Sequence, residues 1–413
     1  MQTKPLLPLE DALSSLLNKV EANTKTTLVS LENALNKISA IDITASLSVP
    51  PFNNSAVDGY AFRIEDLHLA GELPVSMRVA AGDAPGELLP GQAARIFTGA
   101  PVPIGADCVI MQESTKVSIQ GEQSFISTST ELNAQQNIRP AGQDFTEGQK
   151  LLQTGDVLRP QNIALLASAG VAEILVYQPL TVAVLSTGDE LALPGQTLKP
   201  GQIYNSNQFL LNSFLKNYGF EVCDIGVVAD NLEDTKAALT KAAEADIIIS
   251  SGGASVGEED YIKAAIEELG SIDFWRIAIK PGKPFMLGEA CGTPVLGLPG
   301  NPSAVLVTFL MLARPVLLKR QGCRNYHSRS IRMPLGFSIQ SSSIRREFMR
   351  VRLNENGHII AHPNQSSGMM SSSCWAEGFA VIPENTSPMK GELIEFIPFS
   401  SLLQLPETLL DIE

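Results

Sequence analysis

The sequence has few of the residues from which disulfide frameworks and zinc sites are built. Its 413 residues include five cysteines, which are far apart, odd in number and without a C-x-x-C pair. The four histidines form no H-E-x-x-H motif. A disulfide-stapled domain and a zinc site of cysteine or histidine ligands are therefore poor expectations.

Long apolar runs and an excess of positive charge are also missing. No apolar run looks long enough to span a bilayer, and residues 1–10 show no charged leader followed by an apolar core. The formal net charge of −14 repels nucleic acid and anionic membranes. We expect a cytoplasmic protein that binds neither.

Several familiar catalytic motifs are incomplete. Gly252 and Gly257 have the spacing of the outer glycines of a P-loop, but Glu258 stands where that motif needs lysine. No G-x-G-x-x-G follows a predicted strand in the same region. A P-loop ATPase and a nicotinamide dehydrogenase are therefore disfavoured.

Changes in residue pattern and composition along the chain predict a multidomain α/β plus β protein. Apolar residues at helical spacing predict amphipathic helices at Leu9–Val20 and Leu28–Ile38. Residues 1–46 and 139–177 are expected to form an elongated helical module, and residues 47–138, rich in Pro and Gly, an inserted β-rich domain.

The second half of the chain predicts two further domains. Strands and helices alternate through residues 178–324, which indicates an α/β domain with a largely parallel sheet. Short β-type runs separated by turns fill residues 325–413 and indicate a barrel-like β domain.

The segment 250–261 is the strongest candidate for a ligand-binding loop. It joins a predicted buried strand to a predicted helix, and open α/β sheets bind ligands at the carboxyl ends of their strands. Pro/Gly turns at 280–284 and 298–302 follow in the same domain. We expect one site lined by three loops.

Acidic residues recur at predicted strand ends. Glu258, Glu259 and Asp260 follow the glycine loop, while Glu190 and Asp230 lie in other strand-end loops. Each of these residues alone could equally be a turn residue or a carboxylate that stabilises the positive end of a helix dipole. Together they predict a site for a divalent cation such as Mg²⁺, or a polar wall around an amide-rich ring.

Basic residues supply the opposite charge. Lys280 and Lys283 are each followed by proline, so a rigid turn could direct their ammonium groups at phosphate or a small oxyanion. Between positions 328 and 352 an arginine cluster fits either an anion-binding patch or the solvated side of a strand. Its members are Arg329, Arg332, Arg345, Arg346, Arg350 and Arg352.

Taken together, the motifs resemble the MoeA family of molybdopterin molybdenumtransferases, which includes the E domain of gephyrin. The matching segments run in the family order through nearly the whole chain. They are PPFNNSAVDGYA (50–61), RIFTGAPVP (95–103), RPAGQD (139–144), STGDEL (186–191), IYNSN (203–207), SGGASVGEEDY (251–261), KPGKPF (280–285) and GLPGNP (297–302). Departures from the family pattern, at Asn53, Val57, Ala254 and Glu259, remove no matched carboxylate.

The resemblance implies a four-part homodimer that completes the molybdenum cofactor. Adenylated molybdopterin and molybdate would be converted to the cofactor, with AMP released and Mg²⁺ required. Other cofactor-synthesis proteins or molybdoenzyme acceptors would be partners. A molybdopterin adenylyltransferase and a non-catalytic scaffold that binds a partner protein are the alternatives.

The resemblance also implies the site residues. The catalytic carboxylates would be Asp58, Asp144, Glu190, Asp230 and Asp260. Glu190, Asp230 and Asp260 would also bind the metal. Substrate-binding residues would be Thr98, Ser251, Gly252, Gly253, Ser255, Lys280, Lys283, Pro299, Pro302, Arg350 and Ser371, with Ser372 or Ser373 as replacements for Ser371.

Overall fold

The computed structural model describes residues 6–84, 86–252 and 261–406, without the side chains of Phe274 and Trp275. These residues form two compact units. The first takes its described residues from Met1–Ile41, Thr154–Pro160 and Glu173–Glu413, and the second from Asp42–Gln153 and Gln161–Ala172.

The first unit contains a central six-stranded sheet. Its strands, in spatial order, are Glu221–Val228, Thr181–Thr187, Ile247–Ser251, Thr293–Leu298, Pro284–Ala290 and Gly270–Arg276. The first four are parallel to one another, and Pro284–Ala290 pairs antiparallel with the fourth. Gly270–Arg276 pairs antiparallel with Pro284–Ala290 and so runs in the direction of the first four. The largely parallel sheet predicted from the sequence therefore has an antiparallel edge.

That edge follows from a tight turn. Ala290 pairs with Thr293, which leaves Cys291 and Gly292 as a two-residue connection. Both have positive φ, 51° and 83°, as a type I′ hairpin turn requires. A connection this short can only join antiparallel strands, because a parallel pair needs a crossover of a dozen or more residues.

Helices pack on the central sheet, as the predicted alternation of strands and helices requires. They are Ser206–Asn217, Leu232–Ala242, Tyr261–Leu269, Pro302–Thr308 and Arg314–Arg320, with a π-helical turn at Phe309–Ala313. Asn205 and Asn231 cap the first two by accepting from the backbone N–H of Gln208 and Asp234. The segment Pro302–Arg320 is long and apolar enough to cross a membrane, but 83% of its most apolar window is buried inside the protein.

A second six-stranded sheet occupies the C-terminal part of this unit. Its strands run Ile279–Lys280, Arg346–Leu353, Gly378–Ile382, Leu393–Pro398 and Ile331–Pro334, and Ile359–Ala361 also pairs with Arg346–Leu353. Helices Met370–Trp375 and Phe399–Leu403 lie in the same part of the chain. The strand Ile279–Lys280 comes from the α/β region, so the two parts of the unit share a strand.

The remaining elements of the first unit correct one prediction. The helix Leu9–Asn18 confirms the first predicted amphipathic helix. The second is wrong: Thr26–Ser30 is a strand paired with Glu173–Tyr177, followed by a 3₁₀ turn at Leu31–Asn33. Leu28 and Leu35 remain 58% and 48% exposed, because the strand Glu173–Tyr177 supplies backbone hydrogen bonds that outweigh a weak apolar stripe. The predicted elongated helical module is therefore strand and turn in this stretch.

The second unit is built on its own six-stranded sheet. The strands, in order, are Cys108–Met111, Gly59–Phe62, Ala93–Ile96, Leu73–Val79, Gln123–Ser127 and Lys116–Gln120. The helix Ile64–Ala70 and most of the helix Pro160–Ser168 also belong to it. Short strand pairs join Asn54–Ser55 to Ile138–Arg139 and Ile43–Thr44 to Lys150–Leu152.

Candidate functional site

A cavity of about 770 Å³ lies at the carboxyl ends of the parallel strands in the first unit. It collects residues from several predicted loops, which are Glu190, Ser251, Gly252, Lys280, Lys283, Pro299 and Pro302. Gly253, Ser255 and Asp260 lie outside the described residues. We call this space the strand-end cavity.

The floor of the strand-end cavity depends on close contact between two strand ends. The hydroxyls of Ser186 and Ser251 are buried and 3.0 Å apart. Gly252 follows with φ +89°, and a Cβ there would lie 2.7 Å from the backbone oxygen of Thr187. Only glycine fits, because any side chain would be both strained and too close to the neighbouring strand.

The cationic side of the cavity contains three groups with different surroundings. Lys280 Nζ lies 3.0 Å from a carboxylate oxygen of Glu347. Lys283 is exposed, and no described residue forms an ion pair or hydrogen bond with its ammonium group. Arg345 lines the same cavity, also without a described partner for its guanidinium. Sequence reasoning left Arg345 undecided within an arginine cluster, where nothing distinguished it from its neighbours.

Arg350 is buried beside the cavity and does not line it. Its Nε donates to Ser372 Oγ at 3.1 Å, and Nη2 donates to the carbonyl of Ser366 at 3.0 Å. Burial lowers the pKa of this guanidinium, against the opposing effect of Glu347. Ser366 does line the cavity, whereas Ser371 is exposed. The structure therefore places Ser372, rather than Ser371, against Arg350.

The acidic edge joins two strand-end loops by reciprocal hydrogen bonds. The backbone N–H of Asp189 donates to Asp230 Oδ2 at 3.3 Å, and the N–H of Asp230 donates to Asp189 Oδ1 at 3.2 Å. Glu190 lines the cavity, with its carboxylate packed over Gly188. Within the described ranges, no group of three His, Cys, Asp or Glu residues is arranged to hold a metal ion. The oxygens at this edge are nevertheless the hard donors that Mg²⁺ prefers.

In the second unit, Asp58 and Thr98 form a close pair. Asp58 Oδ1 accepts from the backbone N–H and the hydroxyl of Thr98, both at 2.8 Å. These bonds hold the pKa of the Asp58 carboxyl below its ordinary value of 3.8, the backbone bond most, and the nearby charge of Arg95 adds to the effect. Asp144 is exposed in the same unit, and no described residue hydrogen-bonds its carboxylate.

Asn207 is a further cavity residue to which sequence reasoning assigned no role. Its Nδ2 donates to the carbonyl of Gly300 at 2.7 Å, which fixes the orientation of the amide. Its Oδ1 is buried and has no hydrogen-bond donor among the described residues. Such an acceptor, on a residue lining a cavity, suits a ligand N–H group. The segment IYNSN contained this residue, but only the fold reveals the unpaired oxygen.

Family models match most of the chain. They are the MoeA N-terminal region (domain I and II) at residues 7–170, the probable molybdopterin binding domain at residues 183–319 and the MoeA C-terminal region (domain IV) at residues 332–399. The chain belongs to the MoeA family. The fold of this family is thus a multidomain one in which an α/β domain lies between N-terminal and C-terminal regions.

Relatives of known name and structure agree with this membership. A protein of Haemophilus influenzae named molybdopterin molybdenumtransferase is 39% identical, over 96% of this chain and 100% of its own length. A Mycobacterium tuberculosis protein named molybdopterin molybdenumtransferase 2 is 34% identical over 86% of this chain and 91% of its own. The molybdopterin biosynthesis MoeA protein from Pyrococcus horikoshii OT3 superposes with a TM-score of 0.82 at 31% identity, covering 95% of this chain and 100% of its own.

Proposed function

We propose that the chain is a molybdopterin molybdenumtransferase, which converts adenylated molybdopterin and molybdate to the molybdenum cofactor with release of AMP. One observation carries the proposal: the strand-end cavity gathers Lys280, Lys283 and Arg345 in a protein of net charge −14. Cations concentrated at the strand ends of an acidic protein favour an anionic ligand. Relatives named molybdopterin molybdenumtransferase support the transfer of molybdenum to molybdopterin.

The size of the cavity suits the larger substrate. Its volume of about 770 Å³ lies within the range of roughly 300–1,000 Å³ that is common for small-molecule sites. Adenylated molybdopterin carries a pterin, an adenine and phosphates, so it needs both anion-binding and amide-type groups. Asn207 offers an unpaired acceptor for a ring N–H, and Lys283 and Arg345 offer charge to the phosphates or to molybdate.

The remaining site residues are proposed from the matched motifs. Ser251, Gly252, Pro299 and Pro302 would shape the cavity around the substrate. Arg350 would act as a positioning residue, because it holds the carbonyl of Ser366, which lines the cavity. Asp58, Thr98 and Asp144, in the second unit, and Gly253, Ser255 and Asp260, in the glycine loop, are proposed as site residues from their matched motifs alone. Residues 1–46 with 139–177, 47–138, 178–324 and 325–413 remain the proposed domains.

Magnesium is part of the proposal. Asp230, Glu190 and Asp260 would hold the ion, since carboxylates from adjacent strand-end loops supply hard oxygen ligands. When bound, Mg²⁺ would neutralise and polarise the phosphoanhydride that is broken as AMP leaves. The protein's own residues position the two substrates and offset their negative charge. Molybdate would bind the two dithiolene sulfurs as one oxo ligand leaves as water with the two thiol protons, and a water molecule would cleave the phosphoanhydride to release AMP.

The decisive experiment supplies purified protein with adenylated molybdopterin, Mg²⁺ and molybdate. AMP release that depends on molybdate is the expected result. Formation of the adenylate from molybdopterin and ATP would instead indicate an adenylyltransferase. The absence of both reactions would indicate a scaffold.

The proposed homodimer, partners and location need separate tests. Sedimentation equilibrium of the same preparation tests the homodimer, and a pull-down with molybdoenzyme acceptors or other cofactor-synthesis proteins tests the partners. Cell fractionation tests the cytoplasmic location.

A further inference from the structure

Lys280 is a cation already neutralised by a carboxylate of the same chain. Its Nζ lies 3.0 Å from Glu347 Oε1 and 3.0 Å from Oε2, so both oxygens share the ammonium group. The Glu347 side chain is 17% exposed and that of Lys280 42% exposed. Most of the Glu347 side chain is therefore shielded from water, and its ion pair with Lys280 offsets the lost hydration.

The backbone brings the two residues together. The short strand Ile279–Lys280 pairs in parallel with Arg346–Leu353, with Lys280 opposite Glu347. Directly paired residues on neighbouring strands place their side chains side by side. The ion pair is thus set by the register that joins the α/β part of the unit to the C-terminal sheet.

Lys280 also lies between two cavities. It lines the strand-end cavity and a second one of about 570 Å³, bounded by residues 337–343 and 361–363. Glu347 lines only the second cavity. The carboxylate therefore draws the ammonium group away from the space assigned to the substrates.

The cations near Lys280 differ from it in their carboxylate partners. Lys283, three residues along the same turn, lines the strand-end cavity and has no ionic partner among the described residues. Burial lowers the pKa of the Arg350 guanidinium, and the charge of Glu347 partly opposes that shift. One carboxylate thus offsets cations at the edge of the site, while Lys283 has no counter-ion among the described residues.

We propose that Glu347 is an internal counter-ion that competes with the incoming oxyanion for Lys280. The inference rests on the proposed function, because it takes molybdate or phosphate as the competing anion. When the anion enters the strand-end cavity, Lys280 leaves Glu347 and turns to it. When the anion leaves, Glu347 takes Lys280 back. Glu347 therefore limits the affinity for anions and favours their release.

The first test measures the ion pair without any ligand. The protein is treated briefly with acetic anhydride, and modification of Lys280 and Lys283 is quantified by peptide mass spectrometry. In the wild-type protein Lys283 should react faster, because both carboxylate oxygens of Glu347 contact the ammonium group of Lys280. Glu347→Gln should raise the Lys280 rate by about two- to fivefold, the range expected for loss of one partly exposed ion pair.

Two variants control this labelling. Glu384→Gln removes a carboxylate of similar exposure, 23%, that pairs with Arg346 in the same part of the fold, and it should leave the Lys280 rate unchanged. Glu347→Asp retains the charge and should keep Lys280 slower than Lys283. Equal rates for the two lysines in the wild-type protein would overturn the inference.

The second test is calorimetric titration with sodium molybdate. Glu347→Gln should tighten molybdate binding by about two- to fivefold, and the gain should disappear when Lys280→Met is added. If the wild-type protein binds no molybdate, the oxyanion site of the proposed function fails, and the competition fails with it. If the wild-type protein binds molybdate and Glu347→Gln leaves its affinity unchanged or weaker, only the inference about Glu347 is overturned.

Discussion

The basic and acidic sides of the strand-end cavity are held in place by different parts of the backbone. On the basic side, Lys280 is fixed by a strand that pairs with the C-terminal sheet, in register with Glu347. On the acidic side, the loops carrying Asp189 and Asp230 hold each other through carboxylate-to-backbone hydrogen bonds of 3.2 and 3.3 Å. A lysine is thus positioned by strand pairing, whereas the carboxylates position their own loops.

Because of this difference, substitutions on the basic side can change the charge alone, whereas substitutions on the acidic side can also change the loop structure. Replacing the Lys283 side chain removes a charge without removing a hydrogen bond or ion pair to any described residue. A change at Asp189 or Asp230 can remove both a charge and a loop-to-loop hydrogen bond. Substitutions that alter only one of the two properties should therefore distinguish binding from positioning.

The largest effect is expected at the floor that joins the two sides. Gly252→Ala forces a β-carbon to within 2.7 Å of the Thr187 backbone oxygen at φ +89°. Strain and the displaced strand end should lower the free energy of unfolding by about 2–5 kcal/mol and abolish molybdate-dependent AMP release. Urea unfolding and the AMP assay measure the two effects.

Gly219→Ala is the matched control for this substitution. Gly219 has a similar φ of +81°, but a Cβ there would meet nothing within 4 Å. It should cost only the backbone strain, about 1–2 kcal/mol, and keep the activity. Equal losses for the two variants would show that contact with Thr187 does not matter.

How far the sequence predicts this site is clearest at Lys280 and Lys283. The repeated Lys-Pro in KPGKPF made the two lysines look equivalent, since local composition describes only the turn. Their difference arises from pairing with Glu347, 67 positions away in sequence. Strand pairing at that distance is decided by the whole fold, and a turn motif contains no information about it.

Elements with strong local signals were predicted well. The α/β pattern predicted for residues 178–324 is confirmed by elements such as the strand Thr181–Thr187 and the helix Ser206–Asn217. The helix predicted after residue 26 was wrong. The apolar spacing there suits a helix, but the segment is a strand whose partner, Glu173–Tyr177, is about 150 positions away in sequence. Asn207 was missed as a site residue and Arg345 was left undecided for a similar reason, because an unpaired polar group is recognised only against its surroundings.

The next largest effect should separate the two lysines. Lys283→Ala removes a cation with no described partner and should weaken molybdate binding by about tenfold, as expected for one charge beside a small anion at intermediate dielectric. Lys280→Ala removes a cation that Glu347 already neutralises, so its loss should be under about threefold. Calorimetric titration with molybdate measures both. Equal losses would mean that the ion pair does not reduce the charge available from Lys280.

A smaller effect is expected from neutralising the acidic edge. Asp189→Asn and Asp230→Asn keep an oxygen that can accept the backbone hydrogen bond, so each should change the free energy of unfolding by less than about 1 kcal/mol. Only Asp230→Asn should raise the Mg²⁺ concentration needed for half-maximal AMP release. Alanine at either position should loosen both loops. Identical Mg²⁺ dependence in the wild type and Asp230→Asn would remove Asp230 from the proposed metal site.

The smallest effect is expected at Asp58, in the second unit, where a carboxylate is held by hydrogen bonds rather than by a cation at contact distance. Thr98→Val removes the hydroxyl donor and keeps the backbone N–H, which is the larger cause of the lowered pKa. The pKa of Asp58 should therefore rise only part of the way towards 3.8, as measured by carboxyl-carbon NMR titration. Thr98→Ser keeps the hydroxyl and should titrate like the wild type.

The sign of the accompanying stability change follows from the direction of this shift. A carboxyl whose pKa is lower in the folded protein stabilises the fold at pH values above its ordinary pKa, and that contribution disappears as the pH falls through the lowered value. Wild type and Thr98→Val should differ most above pH 3.8, and their stabilities should converge in stronger acid. A difference that persisted at the lowest pH would come from packing of the valine, because protonated Asp58 no longer distinguishes the two proteins.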